Sequence, residues 1–301
     1  MRTLHAAQPH RWWAALSQRR AQARANSSTG GGLTSLSAAA PAGLGDAAPA
    51  GWPVVDDRPV RLDALLTRCG YCSRSESRDW LAAGRVRVRG QVAHRAADKA
   101  APSTVAVDGE ALDNPHGLVL VLHKPVGVVC SHDASEGTRV VDLLPERWQR
   151  RVPQLATVGR LDKDTSGVLL VTDSGLLVHA LTAPGKHVAK RYAVHVDSDF
   201  PPHAAQTCAD GSIVLDGKAC APAVLQLVGP RHGLLTLTEG RYHQIKRMCS
   251  ALGCQVTQLH REAFGVWTLE EMELQPGEWA VLPPLGGAVR AIDAAATMQA
   301  G

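Results

Sequence analysis

The apolar positions of the chain follow two different spacings, and each predicts short secondary-structure elements after residue 57. Residues 62–69 place leucines and a cysteine at helical intervals, which predicts an amphipathic helix. Residues 118–122 form a short apolar run that proline and glycine soon break, and residues 168–171 form another that is β-branched at both ends. Runs of this length and composition predict buried strands.

A second helix and a strand are predicted between these elements. Ser73 and Glu76 form a capping-box pattern, which opens a short helix that Gly84 ends. Residues 85–89 then alternate arginine with valine. In a strand the valines would face a core, and the opposite face would present the guanidinium groups of Arg85, Arg87 and Arg89.

The later pattern mixes strands and helices irregularly. Residues 190–196 and 234–238 predict strands, and residues 176–181 and 247–252 predict helices. Because strands outnumber helices without a regular alternation, we expect an α+β fold with a mixed, mostly antiparallel sheet rather than a parallel one.

Length and composition predict two modest globular units between terminal extensions. With 301 residues and 45% hydrophobic content, the chain exceeds one average domain and can form a sizeable core. We place the first unit at residues 57–113 and the second at residues 117–290. A leader would cover residues 1–56, and a tail would cover residues 291–301.

The leader is basic and rich in small residues. Up to Gly45 it contains five arginines, no acidic residue and abundant alanine, serine and glycine, a composition typical of organellar transit peptides. This predicts a location in the chloroplast or mitochondrion. The alternative is the bacterial cytoplasm, where the leader would be a disordered extension or the product of a start codon placed too early.

Positive charge is concentrated in the first unit. The whole chain has a formal net charge of +4, whereas residues 58–95 hold nine arginines against three acidic residues, a local net charge of +6. A guanidinium group offers a planar fork of donors and stays charged, so aligned arginines suit the phosphate oxygens of a nucleic acid. The alternative is a solvated charged face.

Other classes of site lack support in the sequence. Seven cysteines are an odd number without a regular framework, which favours free thiols in a reducing compartment. Cys69-x-x-Cys72 has no second ligand pair, so no metal is expected. Neither pattern of glycine-rich phosphate loop occurs, and no apolar run is long enough to span a membrane, so neither a nucleotide cofactor nor a membrane partner is expected.

A polar loop around Asp162 directly precedes the predicted strand 168–171. Arg160 lies two residues before Asp162, and Thr165-Ser166-Gly167 follows it. A reactive side chain on a loop held by a buried strand is a common way to present a catalytic group. The alternative is a tight turn in which Asp162 and Asp164 bond the backbone.

Three segments resemble the motifs of the pseudouridine synthases, in the branch that includes the small-subunit and several large-subunit ribosomal RNA enzymes. Residues 159–170 resemble the catalytic motif, residues 190–194 resemble a Lys-x-Tyr-x-Val strand, and residues 239–248 resemble the third motif. They occur in the order that the family has, and the resemblance extends over about residues 58–285.

The first unit resembles the S4 RNA-binding module. Residues 61–63, 72–74, 83–86 and 107–109 stand in the order of that module's motifs. An S4 module ahead of a synthase domain is the arrangement of this family branch. The resemblance implies RNA contacts for arginines of the unit, namely Arg61, Arg74, Arg85, Arg87 and Arg89.

The resemblance also implies roles for residues around the loop. Asp162 would be the nucleophile, or the anion that stabilises or generates the sugar intermediate, and Lys246 would be the cation that keeps it ionised. Tyr192 would stack on the extruded uracil and assist proton removal from C5. Arg160 would take the space left by the flipped base or hold the flanking phosphate. The isomerisation involves no redox change, which agrees with the absence of a cofactor motif.

Further basic residues are candidate RNA ligands. Lys124 belongs to a His-Lys-Pro sequence that resembles a family element, and it would contact phosphate or serve a structural role at a strand end. A basic face is expected from side chains in and after the third motif, with ordinary surface charge as the alternative: Arg241, Lys246, Arg247, His260 and Arg261.

The sequence Tyr-His-Gln at residues 242–244 is similar to the small-subunit branch, whereas large-subunit enzymes more often carry Asn-Arg there. The predicted function is therefore site-specific conversion of uridine to pseudouridine in ribosomal RNA, with 16S-type RNA favoured over 23S-type. The expected partner is ribosomal RNA or an assembling ribosomal subunit, and a monomer is expected. One alternative is a non-catalytic S4-type RNA-binding protein acting in ribosome assembly. Another is a carboxylate-based glycoside hydrolase, with Asp164 as the second acid.

Overall fold

A computed structural model describes residues 53, 56–113, 115, 117–183 and 185–282. Almost all of the predicted leader, and the whole predicted tail, lie outside these residues. The described helices are all far shorter than a segment that spans a bilayer.

The first unit contains two short helices and two small sheets. Strands β2, β3, β5 and β6 form a four-stranded antiparallel sheet in the order β3-β2-β5-β6, and β1 pairs with β4. The elements are β1 (Val60–Arg61), α1 (Leu62–Arg68), α2 (Ser77–Ala82), β2 (Val86–Val88), β3 (Gln91–Val92), β4 (Lys99–Ala100), β5 (Val105–Val107) and β6 (Glu110–Ala111).

The apolar spacing of residues 62–69 and the capping box before α2 form the elements that they predicted. The apolar positions of α1 pack with Leu81 and Val86 into one core. The capping box is confirmed, because the Ser73 amide donates to Glu76 Oε2 at 2.7 Å and the Glu76 amide donates to Ser73 Oγ at 3.3 Å. Helix α2 begins directly after these bonds.

The alternating strand is shorter than predicted. Strand β2 ends at Val88, and Arg89 has a positive φ of 51° in the turn to β3. Arg89 therefore lies in a turn, and the prediction that its guanidinium shares one strand face with Arg85 and Arg87 is wrong. The chain turns here instead of continuing as a strand, because Gly90 follows with a φ of 80°, a conformation that glycine adopts readily.

The second unit is built on one large sheet. Its strands and helices are β7 (Val119–Lys124), α3 (Glu146–Gln149), β8 (Ala156–Thr157), β9 (Thr165–Thr172), α4 (Gly175–Thr182), β10 (Lys190–Val196), α5 (Ala204–Ala209), β11 (Val214–Leu215), β12 (Lys218–Ala219), β13 (Val224–Gly229), β14 (His232–Leu237), α6 (Gln244–Ala251), β15 (Val256–Phe264), β16 (Trp267–Thr268), α7 (Leu269–Met272) and β17 (Trp279–Val281).

The large sheet is mixed and mostly antiparallel, which confirms the predicted fold class. Its main path runs β13-β14-β10-β15-β9-β7-β17, with β8 and β16 paired at the side. Strands β9 and β15 form a parallel pair, and the other described pairs of this sheet are antiparallel. The hairpin of β11 and β12 forms a separate two-stranded sheet.

The central strands β7 and β9 are buried on both faces, which explains their uninterrupted apolar runs. Leu120, Leu122, Leu169 and Val171 pack into one core cluster, which includes side chains of α3, α5 and α6. The intervening residues of both strands pack on the other face with side chains of α4 and α7. The sheet is thus covered on two sides, and its central strand ends are held firmly.

Strand β15 was not predicted from the sequence. It is nine residues long and lies between β10 and β9 in the middle of the sheet. Its polar residues, including His260, Arg261 and Glu262, interrupt the apolar pattern by which a buried strand is predicted. Arg261 is buried and lines the cleft described below, whereas His260 and Glu262 are half-buried on the other face of the strand.

The two units meet through a polar contact centred on Asp113. Asp113 accepts hydrogen bonds from the Arg147 guanidinium and from Trp148 Nε1, the latter at 2.7 Å. The Arg147 guanidinium also lies 4.5 Å from the ring centre of Tyr71, and the Val152 amide donates to the Arg68 carbonyl at 3.3 Å. The first unit is therefore anchored beside α3.

Candidate active site

The loop that carries Asp162 is fixed on both sides. The Leu161 side chain is buried, and its amide donates to Cys130 Sγ at 3.5 Å. The Lys163 carbonyl accepts the Gly127 amide at 2.7 Å, and the Asp162 carbonyl accepts the Thr165 amide at 3.0 Å. The Asp162 side chain itself remains 31% exposed, so a rigid backbone presents an accessible carboxylate.

Gly167 allows strand β15 to approach this loop. Gly167 pairs with Arg261 in the parallel ladder of β9 and β15, and it has a φ of 123°. A Cβ atom at this position would lie 2.2 Å from the Arg261 carbonyl oxygen. The Thr-Ser-Gly sequence after the loop thus meets a steric requirement of the sheet.

A cluster of four ionisable side chains, the Asp162 cluster, lies at the loop: Asp162, Asp164, His243 and Lys246. Lys246 Nζ lies 3.2 Å from Asp162 Oδ2 and at 2.6 and 2.8 Å from the two carboxylate oxygens of Asp164. His243 Nε2 lies 3.5 Å from Asp162 Oδ1. The predicted pairing of Lys246 with Asp162 is present, whereas the sharing of Lys246 with Asp164 was not predicted.

The contacts within this cluster favour the charged forms of Lys246 and Asp164. Burial lowers the pKa of Lys246, but hydrogen bonds to Asp164 and Asp162 outweigh it and leave that pKa raised. The hydrogen bond from Lys246 lowers the pKa of the Asp164 carboxyl. A lysine cation therefore lies between two carboxylates at neutral pH.

Helix α6 places Lys246 at this point because it is amphipathic. Ile245, Met248 and Cys249 are buried in the core, and Lys246 lies on the opposite side. The Gln244 side chain fixes the helix start, since its Oε1 accepts the Arg241 amide at 2.9 Å and its Nε2 donates to Glu239.

A cleft of about 740 Å³ opens beside the cluster. Tyr192 of β10 lines it and is only 8% exposed, and Arg160 lines it as an exposed residue. The volume lies within the range of ligand pockets and can admit a nucleobase. The structure thus brings together Asp162, Lys246, Tyr192 and Arg160 around one cleft.

The half-buried Lys190 and the buried Arg261 form a cationic floor of the cleft, and the sequence analysis did not name Lys190 as a site residue. Burial, with the nearby Arg261 charge, lowers the pKa of Lys190 to about 8. Arg261 is 1% exposed and donates from Nε to the Val168 carbonyl at 2.7 Å. Its guanidinium lies 6.0 Å from the ring centre of Tyr192 and 5.1 Å from that of Phe264.

The predicted surface location of Arg261 is therefore wrong, because β15 directs this side chain inward beneath the cleft. His260, on the same strand, is half-buried, and its Nδ1 lies 2.8 Å from Ser166 Oγ. Burial lowers its pKa. Alternation of large polar residues with Leu259 and Ala263 was a signal that could have revealed this strand.

Lys124, a predicted phosphate ligand, has a structural role instead. Lys124 is fully buried, and its Nζ donates to the carbonyls of Pro125 and Thr165 at 3.0 and 2.8 Å. Burial lowers the pKa of Lys124. The predicted phosphate contact of Lys124 is therefore wrong, and the structure favours the alternative, a structural role at a strand end, because this amine ties the end of β7 to the start of β9.

Arg241 is also a structural group. Its guanidinium donates to three backbone carbonyls of the β11–β12 hairpin, at 3.3, 3.0 and 2.6 Å: those of Leu215, Lys218 and Ala219. These bonds give Arg241 a structural role, and its predicted contact with phosphate stays a prediction because the side chain is still partly exposed at the cleft. Arg247 pairs with Asp216 of the same hairpin at 2.6 Å.

The arginines of the first unit differ in their availability. Arg61 pairs with Asp63 and Arg85 pairs with Asp108, each at 2.6 Å. Arg85 also lies 3.5 Å from the ring centre of Trp80, and Arg87 donates to the Gly90 carbonyl at 3.0 Å. The side chains of Arg74, Arg87 and Arg89 are exposed.

Comparisons with known proteins agree with this arrangement. The family described as RNA pseudouridylate synthase matches residues 118–251, and the S4 domain family matches residues 60–105. The "Ribosomal small subunit pseudouridine synthase A" of Escherichia coli (strain K12) is 38% identical over 228 residues, which cover 74% of this chain and 96% of the relative.

Two further matches cover similar shares. The "Uncharacterized RNA pseudouridine synthase YtzG" of Bacillus subtilis (strain 168) is 38% identical over 74% of this chain and 95% of the relative. A solved structure, "Crystal structure of pseudouridylate synthase", is 30% identical with a TM-score of 0.51, over 74% of this chain and 96% of that chain. The chain therefore belongs to the RNA pseudouridine synthase family and carries an S4 domain ahead of its synthase domain.

Proposed function

We propose that this protein converts one uridine of small-subunit ribosomal RNA to pseudouridine, with Asp162 as the nucleophile. The observation that carries the proposal is the contact of Asp162 with Lys246 at 3.2 Å, at the edge of a cleft that also contains Tyr192. A cation beside a carboxylate favours its ionised form, which nucleophilic attack or stabilisation of a sugar cation requires.

The proposed reaction is balanced without any added reactant. The bond from ribose C1′ to N1 breaks, the base turns within the cleft, and C1′ bonds to C5. The proton leaves C5, and N1 gains a proton. Asp162 acts as the nucleophile or as the anion that stabilises the intermediate. Tyr192 stacks on the detached uracil, which contributes about 1–3 kcal/mol, and assists the removal of the C5 proton.

Access to the base requires that the nucleotide leave its stack, which costs a few kcal/mol. Arg160, exposed at the cleft, holds the flanking phosphate or takes the vacated space. The exposed arginines of the S4 domain bind the RNA backbone, with Arg74 and Arg87 the most available. Arg61, Arg85 and Arg247 lie in ion pairs that RNA phosphate would have to replace.

The choice of small-subunit RNA and of compartment rests on the relatives. Several relatives are named as small-subunit enzymes, which agrees with the sequence Tyr-His-Gln at residues 242–244. Their bacterial sources favour the bacterial cytoplasm over an organelle. We propose a monomer that acts on the RNA or on an assembling subunit.

The geometry disfavours glycoside hydrolysis. That reaction needs one carboxyl group that stays protonated as the general acid. Asp164, the candidate second acid, has a lowered pKa because Lys246 donates to it, and the same lysine lies against Asp162. Asp164 is therefore not suited to hold the proton that a general acid must keep.

The test is to incubate the full chain with unmodified small- and large-subunit RNA and to map pseudouridine by carbodiimide-dependent reverse-transcription stops. We expect one stop on the small-subunit RNA, lost in Asp162→Asn and retained in Asp199→Asn. Asp199 is a matched control because it lies in an exposed ion pair with Arg231. A stop that persists in Asp162→Asn refutes the assigned role, and tight binding without any stop supports the non-catalytic alternative.

A further inference from the structure

Tyr242 is an exposed aromatic residue at the mouth of the cleft. Its side chain is 77% exposed, and it is the one aromatic residue among the large exposed hydrophobic side chains of the described chain. Its ring stacks on the His243 imidazole, with ring centres 3.9 Å apart and an interplanar angle of 18°. We call this pair the aromatic platform; both residues line the cleft.

The platform adjoins the reacting group. His243 Nε2 lies 3.5 Å from Asp162 Oδ1, and the Tyr242 ring covers a face of the same imidazole. A nucleotide with its ribose at Asp162 would therefore bring its neighbour in the strand close to Tyr242. No role in the isomerisation itself requires the exposed phenol ring.

The backbone under the platform is held in place. His243 has a positive φ of 47°, an unfavourable conformation for a residue with a side chain. It persists because neighbouring bonds fix the segment: the Arg247 guanidinium donates to the Tyr242 carbonyl at 3.3 Å and to Asp216 at 2.6 Å. Strained backbone of this kind concentrates at ligand sites.

The charge around the platform selects the kind of ligand. Arg160 and Lys246 line the same cleft, and Arg247 lies beneath the tyrosine carbonyl. Lys246 and Arg247 already pair with carboxylates, but an apolar protein partner would have to remove water from the exposed Arg160 guanidinium without pairing it. A nucleobase bonded to phosphate would instead stack on the ring and place its negative charge among them.

On the basis of the proposed function, we propose that Tyr242 and His243 form a stacking subsite for the unpaired base next to the target uridine. The subsite accepts any base, because every base offers a π face. It holds the neighbouring nucleotide in place while the uridine is extruded.

The test uses the full chain in the Asp162→Asn background, so that the probe is not consumed. The probe is a short single-stranded RNA with one uridine and with 2-aminopurine on its 5′ or its 3′ side. We expect quenching of one of the two probes, retained in Tyr242→Phe and lost in Tyr242→Ala. Base stacking of about 1–3 kcal/mol predicts that Tyr242→Ala weakens binding roughly 5- to 150-fold.

An RNA with an abasic site in place of the 2-aminopurine completes a thermodynamic cycle. Without the neighbouring base, the wild-type platform should bind as weakly as Tyr242→Ala does, and the two changes should not add. Because the ring is exposed, truncation leaves the fold intact. Equal losses in Tyr242→Phe and Tyr242→Ala, additive losses with the abasic RNA, or no quenching by the intact platform would each overturn the proposal.

The same variants separate this inference from the proposed function. Pseudouridine mapping on ribosomal RNA, with Asp162 intact, tests the function without the probe. If the RNA is not modified but the quenching depends on Tyr242, the proposed function fails and the subsite stands. If the RNA is modified equally well by Tyr242→Ala and by wild type, with unchanged KM, the subsite fails and the function stands.

Discussion

Replacing Lys246 by methionine removes the cation between Asp162 and Asp164 while it keeps an unbranched side chain of similar length. Lys246 and Asp162 are 27% and 31% exposed, so water only partly screens their contact. Charge-assisted hydrogen bonds contribute about 1.5–3 kcal/mol each. If the Asp162 contact persists in the transition state, Lys246→Met should lower kcat/KM by roughly 10- to 150-fold, since about 1.36 kcal/mol corresponds to a tenfold change.

The assay is steady-state conversion of the RNA that the mapping identifies, at RNA concentrations above and below KM, so that kcat and kcat/KM are measured separately. We expect the loss in kcat, because Lys246 contacts Asp162 directly and lowers the pKa of Asp164. Lys246→Arg should retain most of the rate, since it keeps the charge. Lys218→Met, at an exposed lysine of β12, serves as the control for removal of a positive charge.

A different result would refute the reasoning. If Lys246 only binds phosphate, Lys246→Met should raise KM with kcat unchanged. It should also lower the slope of log K against log salt by about 0.7 on single-stranded RNA. That combination would mean that the ion pairs with Asp162 and Asp164 form only in the absence of RNA.

Two further predictions concern the frame of the site. Gly167→Ala should lower the free energy of unfolding, measured in urea, by on the order of 4 kcal/mol or more, because the new Cβ would lie 2.2 Å from a backbone oxygen. The control is Gly217→Ala, whose Cβ meets open space at positive φ and should cost only about 1 kcal/mol. Equal losses in the two variants would contradict the steric argument. Lys190→Met should stabilise the protein below about pH 8, and this advantage should disappear as pH rises to the ordinary lysine pKa of 10.5. The native state loses the Lys190 proton at lower pH than the unfolded state does, so the stability of the wild type rises across this pH window. Thermal unfolding at several pH values, with Lys218→Met as the control, measures the difference in stability between variant and wild type. A difference that does not depend on pH would contradict the prediction.

Much of the fold could be predicted because its signals are local. The helical spacing in residues 62–69, the capping box at Ser73 and the apolar runs of β7 and β9 each report burial directly. Strand β15 could not be found in this way. Its buried arginine, Arg261, lines a cleft and donates to the Val168 carbonyl, and only the assembled sheet creates that environment.

The site was predicted in part, for a similar reason. The motifs place Asp162, Tyr192 and Lys246 together, but they do not state which basic groups are exposed. Lys124 and Arg241 resemble RNA ligands in sequence, whereas both donate to backbone carbonyls in the structure. Sequence alone cannot distinguish such a cation from a phosphate ligand, because the distinction depends on carbonyls far along the chain.

Asp164 shows what this geometry adds to the mechanism. Two carboxylates and one lysine give the three groups a net negative charge, so one carboxylate charge remains after the other balances the charge of Lys246. Lys246 lies closer to Asp164, at 2.6 Å, than to Asp162, at 3.2 Å. The shorter contact keeps the lysine in place through Asp164, and the longer one leaves Asp162 less tightly bound. In the proposed function, Asp164 would therefore be the counter-charge that positions Lys246, while Asp162 stays accessible to the RNA.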